Sequence, residues 1–479
     1  MTDRSHQKPL DLLVTGGTIV SGHGRQEAAL GVREGRVACV GAPESMPAAE
    51  EVLEVPGKLI FPGVVDPHVH FRAFSTHIDS LSDVARSAAH GGVTTMVAFA
   101  TGEENETMLS TLQRVREEGE AESVIDFSLH AWIFEDFDYL AEIPKAIDSG
   151  VTTFKVMMGY RKRGRGRCIP DDYTYAALDI VGRSGGIVLV HAENGLVIDY
   201  LEDKALDAGM DGAEFLGYTR PPQMEAEAVA RSIHLADLAG CPLYIVHLTA
   251  AQALDEARRA LAAGKDIVVE TCPQYLTLTG AAVRERGSLA KVAPPLREEA
   301  DISALWKGIQ EGWINVIGSD HAPYTQAQKN DPPFTEAPFG APGIETLLPV
   351  LFSEGVARGR ISAERLVQLT SENPARVLGL YPQKGGLLVG SDADLVVIDP
   401  DGRSTVTAEG QHTNSDYTLF EGRELSGRLE LSLLRGKVVL REGELMQRPG
   451  YGQFIPRSTS EGRASIQEGF PSRTMEEAK

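Results

Sequence analysis

The stretch LIFPGVVDPHVH, residues 59–70, is an apolar run that ends in two histidines, His68 and His70. Four later runs follow the same plan. They are VTTFKVMM (151–158) with Lys155, GGIVLVH (185–191) with His191, PLYIVH (242–247) with His247, and INVIGSD (314–320) with Asp320. A strand that carries a polar residue at its end delivers that side chain to the rim of a parallel barrel, where several strands converge. Four imidazoles, one carboxylate and one lysine at one point predict a metal site.

The centre of the chain alternates apolar runs with amphipathic stretches such as IDSLSDVARSAAHGG (78–92). Strand candidates lie at residues 59–65, 93–99, 124–131, 152–158, 187–191, 243–247, 266–270 and 314–320. Strand–helix alternation implies a parallel sheet, and eight repeats close a barrel. We therefore predict the α/β class and a (β/α)8 TIM barrel over residues 59–379.

Both ends of the chain have a different texture, with short β-rich pieces separated by glycine turns. Residues 11–54 suggest a small antiparallel sheet, and similar pieces return after Pro382. We predict one domain built from residues 1–58 and 380–450, because short paired strands alone are marginal. Two separate small domains are the alternative. Residues 451–479 are polar and predict an arm or a disordered tail.

Composition narrows the class of protein. The chain has 479 residues, 42% hydrophobic and 24% charged, and a net charge of −22, which argues against nucleic-acid binding. Its four cysteines are scattered without a CxxC pair, so neither a disulfide framework nor a thiolate zinc site is expected. We see no signal peptide and no apolar run of the roughly 18 residues that a membrane span needs. We expect a cytoplasmic protein without a membrane partner.

The spacing of the histidines supports their interpretation as metal ligands. His68 and His70 alternate on one strand, so both imidazoles face the same side and can bind one ion. His191 and His247 are each more often structural when taken alone, but their matching positions at strand ends favour ligands. A set of nitrogen and oxygen ligands favours zinc, with manganese, cobalt or nickel also possible.

Lys155 has apolar neighbours, and burial disfavours the charged form of a lysine. The side chain either extends out of the strand to solvent, or it reacts as a neutral amine with carbon dioxide and becomes a carbamate that bridges two divalent ions. Asp320 can bind a metal and also take a proton from water. Tyr160 lies five residues after Lys155, where its phenol is either an oxyanion donor or an ordinary loop side chain.

The motifs DPHVH, FKVMMGY, VHAENG, IVHLT, ETCPQYL, PPLR, GSDHAP and APGIE occur in this order. Together they resemble the cyclic amidases of the amidohydrolase superfamily, over roughly residues 10–450. The resemblance implies a (β/α)8 barrel with a flanking β-sandwich, and a binuclear metal site bridged by carboxylated Lys155. It implies that His68 and His70 hold the more buried metal and that His191 and His247 hold the other. Asp320 is then a ligand of the buried metal and the proton shuttle.

Tyr160 resembles the tyrosine of hydantoinases and dihydropyrimidinases, which implies ring opening of a cyclic amide or imide to an N-carbamoyl amino acid. Arg72, in HFR, resembles the dihydroorotase arginine that binds a substrate carboxylate, so dihydroorotase and allantoinase stay open as alternatives. Ala293 and Phe339 stand where hydantoinases usually have serine and asparagine in main-chain substrate contacts. Phe339 there suggests an apolar ring substituent.

The family resemblance also implies an oligomer, a homotetramer or a homodimer. A non-catalytic scaffold of the same fold is a remote alternative, because scaffolds of this kind have lost metal ligands that this chain retains.

Overall fold

The computed structural model describes residues 8–72, 78–103, 106–134, 137–160 and 168–458. The chain begins with seven short strands outside the barrel. They are β1 (Leu10–Thr15), β2 (Thr18–Ser21), β3 (Gly24–Glu27), β4 (Ala29–Arg33), β5 (Arg36–Gly41), β6 (Ala49–Glu54) and β7 (Leu59–Pro62). The alternating burial of β1 shows the period of two that a strand with one buried face requires.

Eight parallel strands follow, hydrogen-bonded in the order of the chain. They are β8 (Val64–Val69), β9 (Val93–Ala100), β10 (Asp126–Trp132), β11 (Thr153–Met157), β12 (Ile187–His191), β13 (Leu243–Ile245), β14 (Ile267–Thr271) and β15 (Val316–Ile317). A parallel bridge between Val69 and His321 joins the first strand to the segment after the last. The backbone N–H of His70 donates to the carbonyl of His321 at 2.9 Å. The predicted TIM barrel is confirmed.

The predicted first strand, residues 59–65, is in fact two strands. Leu59–Pro62 belongs to an outer sheet and Val64–Val69 to the barrel. The break falls at Gly63, where an added Cβ would lie only 2.0 Å from the Thr94 hydroxyl oxygen. Apolar periodicity cannot show such a change of sheet, because both halves are buried.

Helices cover the outside of the barrel. They are α1 (Leu81–His90), α2 (Met108–Glu122), α3 (Phe137–Leu140), α4 (Ile143–Asp148), α5 (Asp171–Arg183), α6 (Gly195–Asp207), α7 (Ala213–Thr219), α8 (Pro222–Ala239), α9 (Ala251–Ala262), α10 (Pro273–Thr277), α11 (Ala281–Arg286), α12 (Glu299–Glu311), α13 (Gln326–Asn330), α14 (Leu347–Leu351), α15 (Ala363–Val367) and α16 (Asn373–Val377). In α1, Ser80 and Asp83 form a capping box, and Leu81, Val84 and Ala88 bury one face. None of the helices in these described ranges is long and apolar enough to cross a membrane.

The last strands are β16 (Leu395–Thr405), β17 (Glu424–Leu434), β18 (Lys437–Arg441) and β19 (Glu444–Leu445). They extend a seven-stranded sheet of order β19-β18-β17-β16-β7-β2-β3, so strands from both chain ends share one sheet. The second sheet has the order β5-β4-β1-β6, and a common apolar cluster packs between the two. The predicted β-sandwich built from both termini is confirmed.

The expectation of one antiparallel sheet over residues 11–54 is wrong in two respects. Strand β6 pairs with β1 in parallel, and β2 and β3 belong to the other sheet. The alternation of apolar residues identifies the buried face of a strand, but it carries no information on the direction of its partner.

The joint between sandwich and barrel contains a buried ion cluster. Lys384 Nζ lies 2.5 Å from Asp126, 2.9 Å from Asp392 and 2.8 Å from Asp394. Nearby, residues 451–458 run along the N-terminal end of β10, where the N–H of Ile455 donates to the carbonyl of Phe127 at 2.8 Å. Residues 459–479 of the predicted tail lie outside the described residues, and the domain limits stay predictions.

Candidate metal centre

His68, His70 and Asp320 meet at the C-terminal rim of the barrel. The Nε2 atoms of both histidines approach the same oxygen of Asp320, His68 at 3.1 Å and His70 at 3.3 Å. One donor atom from each residue lies within 4.8 Å of the others, so the three can hold one metal ion. His68 lies on β8 and His70 directly follows it, while Asp320 lies in the segment that follows β15.

His191 and His247 form the second half of the cluster. His191 ends β12, and its Nδ1 atom lies 3.0 Å from Nε2 of His247, which follows β13. The ring centroids of His68 and His247 are 5.3 Å apart, so the two halves adjoin. The four imidazoles predicted as ligands are therefore brought together.

Lys155 points into the barrel beside this cluster. Its side chain is buried on β11, and Nζ lies 5.4 Å from the ring centroid of Phe99. Burial lowers the pKa of Lys155 to about 8, although the charges of Asp320 and Glu270 oppose that shift. The structure thus excludes the alternative of a lysine extended to solvent.

Two carboxylates form hydrogen bonds with ring nitrogens of His68 and His191. Glu270 Oε1 lies 2.7 Å from Nδ1 of His68, and Glu193 Oε2 lies 2.7 Å from Nε2 of His191. Glu270 also accepts hydrogen bonds from the Tyr244 hydroxyl at 2.8 Å and from the His247 N–H at 3.0 Å. Such carboxylate–histidine contacts fix the ring orientation and raise the basicity of the metal donor.

Sequence reasoning missed both carboxylates as functional residues, although Glu193 stands in VHAENG and Glu270 in ETCPQYL. The available signal was an acidic residue within a few positions of a ligand or at the end of an otherwise apolar strand. Such a residue is expensive to bury unless it is paired. Burial raises the pKa of Glu193, but Arg220 and His191 outweigh it and lower that pKa to about 2.

The contacts of His68 suit a metal ligand. Burial lowers the pKa of His68, but the charges of Glu270 and Asp320 outweigh burial and raise it to about 9. His68 Nε2 nevertheless makes no well-directed hydrogen bond to Asp320. With Nδ1–H directed to Glu270, the second nitrogen offers its lone pair once a metal displaces the proton. The donor set of imidazoles and carboxylate suits a divalent ion.

Several residues at this rim have strained backbone conformations. Tyr160, His247 and Asp320 have φ angles of 64°, 39° and 50°, and Arg72 has 37°. Each such conformation costs on the order of 1–3 kcal/mol in a non-glycine residue and concentrates at functional sites. The turns after the strands therefore aim these side chains at the expense of local stability.

Of the predicted substrate contacts, Tyr160 and Phe339 lie together. Their ring centroids are 5.7 Å apart in an edge-to-face arrangement, and the Tyr160 ring lies 5.0 Å from that of His191. Ala293 is buried just before Pro294. Arg72, whose side chain is 59% exposed, instead forms an ion pair with Glu118 of α2 at 3.1 Å. The structure thus does not bring the Arg72 guanidinium to the histidine cluster.

Comparison with known proteins places this geometry in a family. A model described as "Amidohydrolase family" matches residues 59–439. The chain belongs to the amidohydrolase family. This amidohydrolase is 37% identical over 458 residues to a D-hydantoinase of Geobacillus stearothermophilus, covering 93% of this chain and 96% of that protein. It is 36% identical over 456 residues to a D-phenylhydantoinase of Escherichia coli, covering 93% and 98%.

A solved structure agrees with the sequence relatives. The L-hydantoinase (dihydropyrimidinase) from Arthrobacter aurescens superposes on this amidohydrolase with a TM-score of 0.90 at 33% identity, covering 94% of this chain and 100% of that one. The resemblance found from the motifs is confirmed, and so is the prediction of an enzyme of the hydrolase class.

Proposed function

We propose that this amidohydrolase opens the ring of a hydantoin or dihydropyrimidine and releases an N-carbamoyl amino acid. The observation that carries the proposal is the convergence of four imidazoles, Asp320 and buried Lys155 at the C-terminal rim of the barrel. Its relatives named D-hydantoinase and D-phenylhydantoinase align over more than nine-tenths of the chain.

Two divalent ions, which we propose to be zinc, would be held by residues already in place. His68, His70 and Asp320 would bind one ion, and His191 and His247 the other. When bound, such ions supply Lewis acidity to a carbonyl group and to water.

We propose that Lys155 is carboxylated and bridges the two ions. Its nitrogen would bond the carbon of carbon dioxide and release a proton, which turns a buried amine into an anion. An ammonium at this position would face the ions as a like charge, whereas the carbamate offers two oxygen ligands. The burial of Lys155 among apolar strand residues supports this, because it disfavours the ammonium form.

In the reaction, the oxygen of water adds to the ring carbonyl carbon, the C–N bond breaks, and the leaving nitrogen takes a proton. Asp320 would accept the proton from water and deliver it to that nitrogen. Tyr160 would donate a hydrogen bond to the oxyanion. Burial raises the pKa of Tyr160 above its ordinary value, so the phenol keeps the proton that a donor needs.

The substrate side of the site has an aromatic wall. Phe339 stands edge-to-face on Tyr160, and the Arg220 guanidinium lies 4.6 Å from the Phe339 ring centroid. We propose that this wall receives an apolar substituent of the ring. The exposed ion pair of Arg72 with Glu118 gives no support to an acidic substrate such as dihydroorotate.

A hydrolysis panel tests the proposal. Protein expressed with zinc and bicarbonate would be given dihydrouracil, hydantoin, 5-phenylhydantoin, dihydroorotate and allantoin. We expect turnover of the first three with a preference for the phenyl compound. Turnover of dihydroorotate or allantoin alone would contradict the proposal. If the protein purified from this expression contains no metal and hydrolyses none of the compounds, the result would favour the alternative of a non-catalytic scaffold.

We also propose a cytoplasmic homotetramer or homodimer whose partner is the small-molecule substrate. Light scattering on the purified protein measures the assembly directly, and a monomer at micromolar concentration would rule it out.

A further inference from the structure

Two fully buried lysines lie beneath the segment that carries Phe339. Lys291 and Lys329 are both 0% exposed. This segment, the Phe339 loop, comprises residues 334–340. Within the described structure, the amine groups of Lys291 and Lys329 mainly contact backbone carbonyls of this loop.

Lys329 has a complete set of acceptors. Its Nζ atom lies 2.8 Å from each of three carbonyl oxygens, those of Lys291, Pro338 and Gly340. These carbonyl oxygens are the acceptors for the N–H donors of the Lys329 amine. The Lys329 side chain therefore connects the backbone at Lys291 to the C-terminal end of the Phe339 loop.

Lys291 binds the other half of the loop. Its Nζ atom lies 2.6 Å from the Phe334 carbonyl, 2.7 Å from that of Ala337 and 3.3 Å from that of Thr335. Its backbone carbonyl also accepts from the Gly340 N–H at 3.1 Å. The two lysines together hold five carbonyls of a seven-residue loop.

Carbonyl dipoles take the place of carboxylates here. Among the described residues neither lysine forms an ion pair, and burial lowers the pKa of Lys291 to about 7 and that of Lys329 well below its ordinary value. A buried ammonium is expensive, and only well-directed hydrogen bonds offset that penalty. The arrangement is thus stable only while the loop keeps this conformation.

The loop connects this cage to the site. Nζ of Lys291 lies 4.5 Å from the Phe339 ring centroid, and the guanidinium carbon of Arg220 lies 4.6 Å from it. Cations at this range are attracted to the face of an aromatic ring. The Phe339 ring in turn packs edge-to-face with Tyr160, whose ring adjoins His191.

We propose that Lys291 and Lys329 are positioning residues for substrate specificity: they hold the Phe339 loop so that Phe339 closes the substrate pocket beside Tyr160. The specificity part rests on the proposed function. The positioning part concerns the loop alone and can be measured without a substrate.

The test uses Lys291→Met and Lys329→Met, which keep side-chain length and remove the ammonium. Lys307→Met is the matched control, since that lysine is 71% exposed on α12. Hydrogen exchange by mass spectrometry reads the amides of residues 334–341 in the full-length protein. We expect exchange there to rise at least about tenfold in both variants, with no change in the control or at β8 and β12.

Steady-state kinetics with two substrates then measure the specificity. We expect the KM ratio of 5-phenylhydantoin to hydantoin to rise about tenfold in both variants, with kcat and metal content unchanged. Unchanged exchange, or a uniform loss of protection and metal across the protein, would overturn the proposal. If the variants do not fold, Phe339→Leu leaves both lysines in place, and an unchanged KM ratio in it would overturn the proposal equally.

Failure of the proposed function has a separate signature. Wild-type protein would then hydrolyse no compound of the panel, while faster exchange in the Lys291 and Lys329 variants would still establish the positioning role. If hydrogen exchange in those variants equals that of the wild type and the wild-type protein is active, only the positioning role would be contradicted.

Discussion

Glu193 determines which nitrogen of His191 faces His247 and the histidine cluster. Its Oε2 atom lies 2.7 Å from Nε2 of His191, which leaves Nδ1 directed at His247, 3.0 Å away. The same Glu193 oxygen lies 2.5 Å from Nη1 of Arg220. A carboxylate held in this way keeps its charge and fixes the histidine tautomer.

Replacing Glu193 with glutamine should weaken the metal site that we propose at His191 and His247. A neutral amide is a poorer acceptor and loses the ion pair with Arg220, so we expect metal affinity to fall about 10–100-fold. Competition with a chelator measures this. Glu227→Gln is the control, since Glu227 forms an exposed ion pair with Arg231. Equal affinity in both variants would argue against an orienting role for Glu193.

Replacing Lys155 with alanine should remove metal and activity together, because a bridging anion can no longer form. Elemental analysis of the purified variant and a hydantoin assay check this, with Lys307→Ala as the control for loss of a lysine. A variant that keeps two metals and full activity would exclude the carbamate. Circular dichroism separates this effect from unfolding.

Replacing Tyr160 with phenylalanine should mainly lower kcat. An oxyanion donor contributes about 2.7–4 kcal/mol to transition-state stabilisation, which corresponds to a loss of about 100–1,000-fold. The ring that packs against Phe339 is retained, so KM should change little. A raised KM with an unchanged kcat would show that Tyr160 only lines the pocket.

Acid should destabilise the protein partly through Glu106. This carboxylate contacts Arg114 Nε at 2.7 Å and Nη2 at 2.9 Å. The hydrogen bond from Arg114 lowers the pKa of Glu106 from 4.5 to about 2, against the opposing effect of burial. The stabilisation is therefore complete above pH 4.5 and is lost as the pH falls through about 2.

Glu106→Gln should accordingly lower the thermal midpoint at pH 6 and have a smaller effect at pH 2.5. The ion pair of Glu106 with Arg114 is partly exposed, so the loss of unfolding free energy at pH 6 should exceed that at pH 2.5 by about 1 kcal/mol. Glu120→Gln, on the exposed pair with Arg116, serves as the comparison. An equal effect of Glu106→Gln at both pH values would contradict the assignment.

The sequence by itself determined the barrel, the shared terminal sheet and the six candidate ligands. Strand ends and helix faces follow from apolar periodicity over a few residues, and parallel strands in chain order bring their ends together. His68, His191, His247 and Asp320 were therefore predictable from their places at the ends of apolar runs. The family motifs added the identity of the chemistry.

Only the tertiary structure decided which partners these residues take. Glu193 and Glu270 became visible as histidine partners, Arg72 pairs with Glu118, and β6 runs parallel to β1. The cage of Lys291 and Lys329 under Phe339 also depends on segments that meet only in the fold. Such contacts depend on the direction of strands and on side-chain rotamers. Both are set by neighbours distant in sequence, and local periodicity carries no information about them.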